Sequence, residues 1–192
     1  NDPMPPGEAV TAIAGVEDQT LWVGTLYGGL LRYDRRSERP RRYRHDPEKP
    51  GSLGSDTITA LRVGRDGGPW VGTYAGGLDR LDPGGHQFAH YRHDPGQRGS
   101  FTSHSISALL EDSSGYLWIG TNGGGLNRFD PDRGTFFAYR HSADDPDSLG
   151  NDTVLAIHED RAGTLWIGTY GGGLDSLDRE TGRFTHHRND PE

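Results

Sequence analysis

Along the chain, short apolar runs alternate with breaks rich in glycine, proline, aspartate and serine, and the alternation returns every 48 residues. Trp22, Trp70, Trp118 and Trp166 keep that spacing without a gap over all 192 residues. In the second unit, Thr57-Ile58-Thr59-Ala60-Leu61 reads as a strand because β-branched residues favour extended backbone. Arg65-Asp66-Gly67-Gly68 supplies a turn, Trp70 to Thr73 a second strand, and Tyr74-Ala75-Gly76-Gly77 the next turn. Leu78-Asp79-Arg80-Leu81-Asp82 follows as a third strand, Pro83-Gly84-Gly85 as a turn, and Gln87-Phe88-Ala89-His90-Tyr91-Arg92 as a fourth strand. No stretch sustains a helical period, so helix is not expected. Four strands per unit, repeated at fixed pitch, predict an all-β propeller of four blades, each of four antiparallel strands. A lone sandwich would give many short strands but not this period. The prediction is one propeller array over 1–192, with repeats 1–48, 49–96, 97–144 and 145–192.

The residue types suit blades packed face to face. One tryptophan per unit fills the space between neighbours, and Gly24, Gly72, Gly120 and Gly168 keep mid-strand positions open for the approach of another backbone. Composition changes this picture little. Apolar residues are 31% and the formal net charge is −8. That combination leans toward disorder when apolar residues are scattered, but here they are phased, and a folded protein is predicted. No run approaches the roughly 18 apolar residues of a membrane span, and no basic-then-apolar leader opens the chain, so a soluble piece is expected. Absence of cysteine removes disulfides and thiolate metal sites and leaves the redox compartment open. The acidic balance makes nucleic acid an unsuitable partner, because phosphate binding needs a basic face.

Leu165-Trp166-Ile167-Gly168-Thr169-Tyr170-Gly171-Gly172-Gly173-Leu174, with Asp178 and Phe184-Thr185-His186, resembles the two-component regulator propeller repeat. Ser148-Leu149-Gly150-Asn151-Asp152 and Ala156-Ile157-His158-Glu159-Asp160 belong to the same pattern. The likeness extends over all four units, with local departures at Pro69, at Leu26-Tyr27 and at Met4-Pro5-Pro6. It implies a bacterial sensor propeller, periplasmic or otherwise extracytoplasmic. Such a propeller passes ligand occupancy to a separate output domain, such as a histidine kinase or a cyclase, in a parent protein. Oligosaccharides are among the ligands that the resemblance implies. No cofactor is expected.

The chain begins and ends at one phase, Asn1-Asp2-Pro3 against Asn189-Asp190-Pro191. Four blades lie at the lower limit of the general range of about four to eight. The first and last blades would each leave an apolar face without a neighbour, which single molecules seldom tolerate. Tight closure as a four-bladed ring is one solution. The favoured expectation is a homodimer through the terminal blades, two chains completing an eight-bladed ring.

In such a fold the turn between the second and third strands and the loop joining consecutive blades emerge on one face. Tyr27, Tyr74 and Tyr170, with Asn122 as a polar variant, form the hypothesised aromatic platform. Asp56, His104, Asn151 and Asp152, beside Ser55 and Ser103, supply short polar groups. Aromatic faces next to amides, hydroxyls and carboxylates suit a carbohydrate. The plainer alternative is that the tyrosines cover turns and the polar groups satisfy loop backbone. His45, His93 and His141 share one phase and are assigned to the surface, while adjacent His186 and His187 point to opposite faces of a strand and make a poor chelate. Glu111-Asp112-Ser113-Ser114-Gly115 lacks the alternating oxygen ligands of a calcium loop. No catalytic or metal site is therefore expected. Two rival readings stand beside the non-enzymatic sensor. One is a protein-interaction or engineered repeat scaffold without a small ligand. The other is a polysaccharide lyase or hydrolase using His104, His158 or Arg62, which no catalytic spacing supports.

Overall fold

Alternating apolar runs and turn residues produce sixteen strands and no helix among the described residues, which in this computed structural model are 8–16, 20–34, 40–96 and 100–187. The two in-phase ends and Met4-Pro5-Pro6 lie outside them. The first sheet holds β1 (Val10–Val16), β2 (Thr20–Thr25), β3 (Leu30–Asp34) and β4 (Arg41–Tyr43). The second holds β5 (Ile58–Val63), β6 (Pro69–Thr73), β7 (Leu78–Leu81) and β8 (Phe88–Tyr91). The third holds β9 (Ile106–Glu111), β10 (Leu117–Thr121), β11 (Leu126–Asp130) and β12 (Thr135–Tyr139). The fourth holds β13 (Val154–Glu159), β14 (Leu165–Thr169), β15 (Gly173–Leu177) and β16 (Phe184–His187). Each is an up-and-down antiparallel sheet of consecutive strands, the blade of a β-propeller.

The chain forms two compact units. One carries the first two blades together with His104–Ile106; the other carries the last two blades and the loop before them. In the first unit, Trp22 and Leu30 pack with Leu53, Ile58, Val71 and Phe88 of the next blade. In the second, Trp118 and Leu126 pack likewise with Leu149, Val154, Ile167 and Phe184. The core thus lies between blades, and Trp118 is wholly buried there. Its indole N–H donates to Asp112 Oδ2 at 2.7 Å, which satisfies the one polar atom such a side chain brings inside.

The mid-strand glycines do admit a close neighbour, but it is a side chain rather than the backbone that the sequence suggested. A Cβ on Gly72 would come within 2.6 Å of Ile106 Cγ2, and one on Gly120 within 2.7 Å of Val154 Cγ1. Gly24 meets Ile58 in the same way. The β-branched residues opening β5, β9 and β13 are therefore knobs, each seated on a glycine of the preceding blade. A bulge sets the direction of such a residue. Pairing shifts register between Val10 and Ala12, Ile58 and Ala60, and Val154 and Ala156, leaving Thr11, Thr59 and Leu155 outside the ladder.

Candidate ligand-binding edge

A buried threonine organises the turn after each second strand. Thr73 Oγ1 donates to the Gly77 carbonyl at 2.8 Å, and Thr121 Oγ1 to Gly125 at 2.8 Å. Thr25 does the same at Gly29, and its oxygen also accepts from Gly28 N. Gly77 and Gly125 have φ of 82° and 77°, and a Cβ there would strike the carbonyl oxygens of Tyr91 and Tyr139. Only glycine fits these positions. Closed so tightly, the turns push their tips outward: Tyr27, Tyr74 and Tyr170 expose 74%, 59% and 70% of their surface, and Asn122 is exposed. The tips are not equivalent. Tyr27 occupies the position of Ala75, Gly123 and Gly171, one residue after that of Tyr74, Asn122 and Tyr170.

The loops that enter the next blade lie against these turns. Gly29 N donates to the Asp56 carbonyl and Gly77 N to the His104 carbonyl, each at 2.9 Å; Gly125 N donates to Asp152 at 2.8 Å. Tyr27, Tyr74, Asp56 and His104 thus share one edge of the first unit, and Asn122, Tyr170, Asn151 and Asp152 one edge of the second. Side-chain roles differ from those of free ligand groups. Asp56 Oδ1 accepts from His45 N, and Asp152 Oδ1 from His141 N, both at 2.7 Å. Asn151 Oδ1 accepts from Thr153 N at 2.8 Å, and Ser55 Oγ from Thr57 N at 3.2 Å. Asn122 Oδ1 accepts from the Thr153 hydroxyl at 3.4 Å, while its carbonyl takes a hydrogen bond from Ser103. The carboxylates hold their own loops, and each retains lone pairs for a second donor.

His45 and His141 are exposed and His93 is half-buried, and all three are anchored: each Nδ1–H donates to a carbonyl, of Leu53, Phe101 and Leu149 respectively. Arg62 and His158 lie on inner strands opposite Trp70 and Trp166. Among the described residues no group of three or more metal-ligating side chains forms.

Sequence reasoning missed the polar pairs beneath this edge. Asp79, fully buried, accepts from Gly54 N at 2.6 Å and lies 2.6 Å from His90 Nδ1, whose Nε2–H donates to the Pro50 carbonyl at 2.8 Å. Asp175, Gly150, His186 and Pro146 repeat the arrangement in the fourth blade. The third blade uses Asn127 and Thr102, with Asn127 Nδ2 donating to the threonine oxygen at 2.6 Å. Burial pushes the Asp79 carboxyl above its ordinary range, although hydrogen bonds from His90 and Gly54 oppose the shift. In the first blade, Glu8 pairs with Arg42 at 3.1 Å, and Arg42 also donates to the Gly28 carbonyl beside Tyr27. The Arg42 hydrogen bonds hold the Glu8 carboxyl below its ordinary range, with burial opposing.

Residues 100–123 and 148–171 match the two component regulator propeller family. No curated protein sequence matches the chain. Among solved structures, the extracellular domain of a hybrid two component system from B. thetaiotaomicron is 24% identical with a TM-score of 0.77, over 96% of this chain and 25% of that one. Virginiamycin B lyase from Staphylococcus aureus is 16% identical with a TM-score of 0.70, over 94% of this chain and 55% of that one. The computationally designed Ika4 protein is 18% identical with a TM-score of 0.63, over 92% and 94%. The chain therefore spans about a quarter of the length of the first of these. At such identities the likeness establishes the propeller fold alone. The two matched segments stand 48 residues apart, the pitch at which the tryptophan, the glycine turn and the knob residue recur through all four sheets.

Proposed function

We propose that the chain is a non-enzymatic sensor or binding propeller. Its ligand, a carbohydrate, lies on the turn edges of the two units, which carry Tyr27 and Tyr74 in the first and Asn122 and Tyr170 in the second. Occupancy is relayed to a separate output domain of a parent protein, on the outer side of a membrane. Two copies associate through their terminal blades. One observation carries the ligand reading. The tyrosines of the outer strands, such as Tyr43 and Tyr139, pack against other rings, whereas Tyr27, Tyr74 and Tyr170 at the turn tips leave more than half of their surface exposed. Exposed rings over tight glycine turns, with Asp56, Asn151 and Asp152 held rigid nearby, offer a stacking face and acceptors with little ordering cost on binding. Titration with a panel of neutral and acidic oligosaccharides tests this. Tyr74→Ala and Tyr170→Ala are expected to weaken the bound member about tenfold, ~1.4 kcal/mol. Unchanged binding removes the platform. A chain that binds no saccharide yet retains a protein partner is a scaffold instead. Release of cleaved product that stops in His104→Ala or His158→Ala would make it an enzyme.

A further inference from the structure

The knob-and-glycine junction between successive blades appears three times inside the chain, and its two halves are each left open once more. Ile58, Ile106 and Val154 are 0%, 2% and 0% exposed on their glycines, whereas Val10, the same position of the first blade, is 43% exposed. Ile13 beside it is 63% exposed, although its counterpart Leu61 packs into the core of the first unit. On the other side, Leu30, Leu78 and Leu126 are completely buried, but Leu174 is 42% exposed. A Cβ on Gly168 would meet only atoms of Ala156 of its own sheet, at 3.6 Å and beyond, where the other three glycines are blocked by a neighbour. Gly173 is likewise exposed while Gly29, Gly77 and Gly125 are buried, and each of those three donates to the carbonyl of the residue that Glu8 represents in the first blade.

The geometry points to a head-to-tail junction between two copies of this chain, in which Val10 of one copy seats on Gly168 of the other. Ile13 then covers Trp166 and Leu174, and Gly173 N donates to the Glu8 carbonyl. The occupant is a second copy because a single sequence carries both halves, in the register that the internal junctions already use. Two such contacts, related by a twofold axis, bury all four open faces and leave nothing to propagate. The inference rests on the association proposed above and specifies its contact.

The chain has no cysteine, which makes a cross-link diagnostic. Val10→Cys/Gly168→Cys, mildly oxidised and then denatured without reductant, is expected to run near twice 21.0 kDa. A single-chain band with no free thiol means that each copy closes on itself, and free thiols mean no such junction; either overturns the inference. Light scattering of the unaltered chain at micromolar concentration separates the two levels. A species of about twice 21.0 kDa without the cross-link keeps the pairing and overturns the register; a single-chain or open-ended species overturns both. Gly168→Val gives a second reading, because its side chain fits the isolated sheet but fills the seat of Val10. It is expected to yield single chains with an unchanged strand signal in circular dichroism. Pairs that survive this change overturn the contact.

Discussion

At the scale of single residues, the turns were legible because their causes are local, whereas the knobs were not, because the residue seated on each glycine comes from the next blade. Gly76-Gly77 after Tyr74 announces a tight turn whatever surrounds it. The buried pairs were not legible. Gly54 joins Asp79 across 25 residues, and adjacent His186 and His187 read only as facing opposite sides of a strand until Asp175 is placed against the first. The repeats show how the site tolerates change, since Leu31 and Asn127 stand in other blades where Asp79 and Asp175 stand in theirs. Raised by burial, the Asp79 carboxyl binds its proton more tightly in the folded chain than in the unfolded one. Its contribution is fully present below the unfolded value of 3.8 and is lost as pH rises through the higher folded value. Asp79→Asn, which keeps one acceptor oxygen but cannot ionise, should remove that loss. Urea unfolding of both chains at stepped pH should show the wild type falling relative to the variant above pH 3.8. Gly120→Ala belongs to the same scale: its Cβ must displace Val154, and a loss of about 1–3 kcal/mol is expected in the same assay.

Elements are joined across blades by contacts that no single repeat contains. In the second unit, Arg179 reaches Asp112 at 3.1 Å and Glu159 at 2.5 Å, while Glu159 accepts from Ser113 N and Oγ at 2.7 Å. Asp112 also holds the Trp118 indole, so the ion network and the apolar core share one anchor. In the sequence, Asp112-Ser113-Ser114-Gly115 offers only the spacing of its own oxygen groups to read. Its real partner, Arg179, lies 67 residues away and leaves no local trace. Arg179→Ala strands a buried carboxylate and should cost about 3 kcal/mol by denaturant unfolding. Burial pushes the Glu159 carboxyl up, but hydrogen bonds from Ser113 and Arg179 outweigh it and hold the group below 4.5. That contribution is present above 4.5 and lost as pH falls through the lower folded value. Arg179→Ala should therefore narrow its deficit as the medium is acidified below 4.5. The bulges at Thr11, Thr59 and Leu155 were also invisible, because alternation of residue types records which side is buried and not where a ladder skips.

For the whole molecule, the period alone disclosed four sheets, and their internal packing follows from it. What period cannot disclose is which open faces meet, since every junction uses the same residue types. If terminal blades are covered by another copy, stability depends on concentration. A hundredfold dilution should then lower the melting temperature by several degrees, as for any assembly favoured by mass action, and a melting point that does not move would exclude it. The sheets themselves have a separate consequence. Each takes all its strands from one uninterrupted stretch of chain, so unequal crossing-over that inserts or deletes whole units tears no ladder and only makes or unmakes a boundary. Copy number can then change without breaking any sheet, and what each change alters is the packing between sheets and the rim left to be covered.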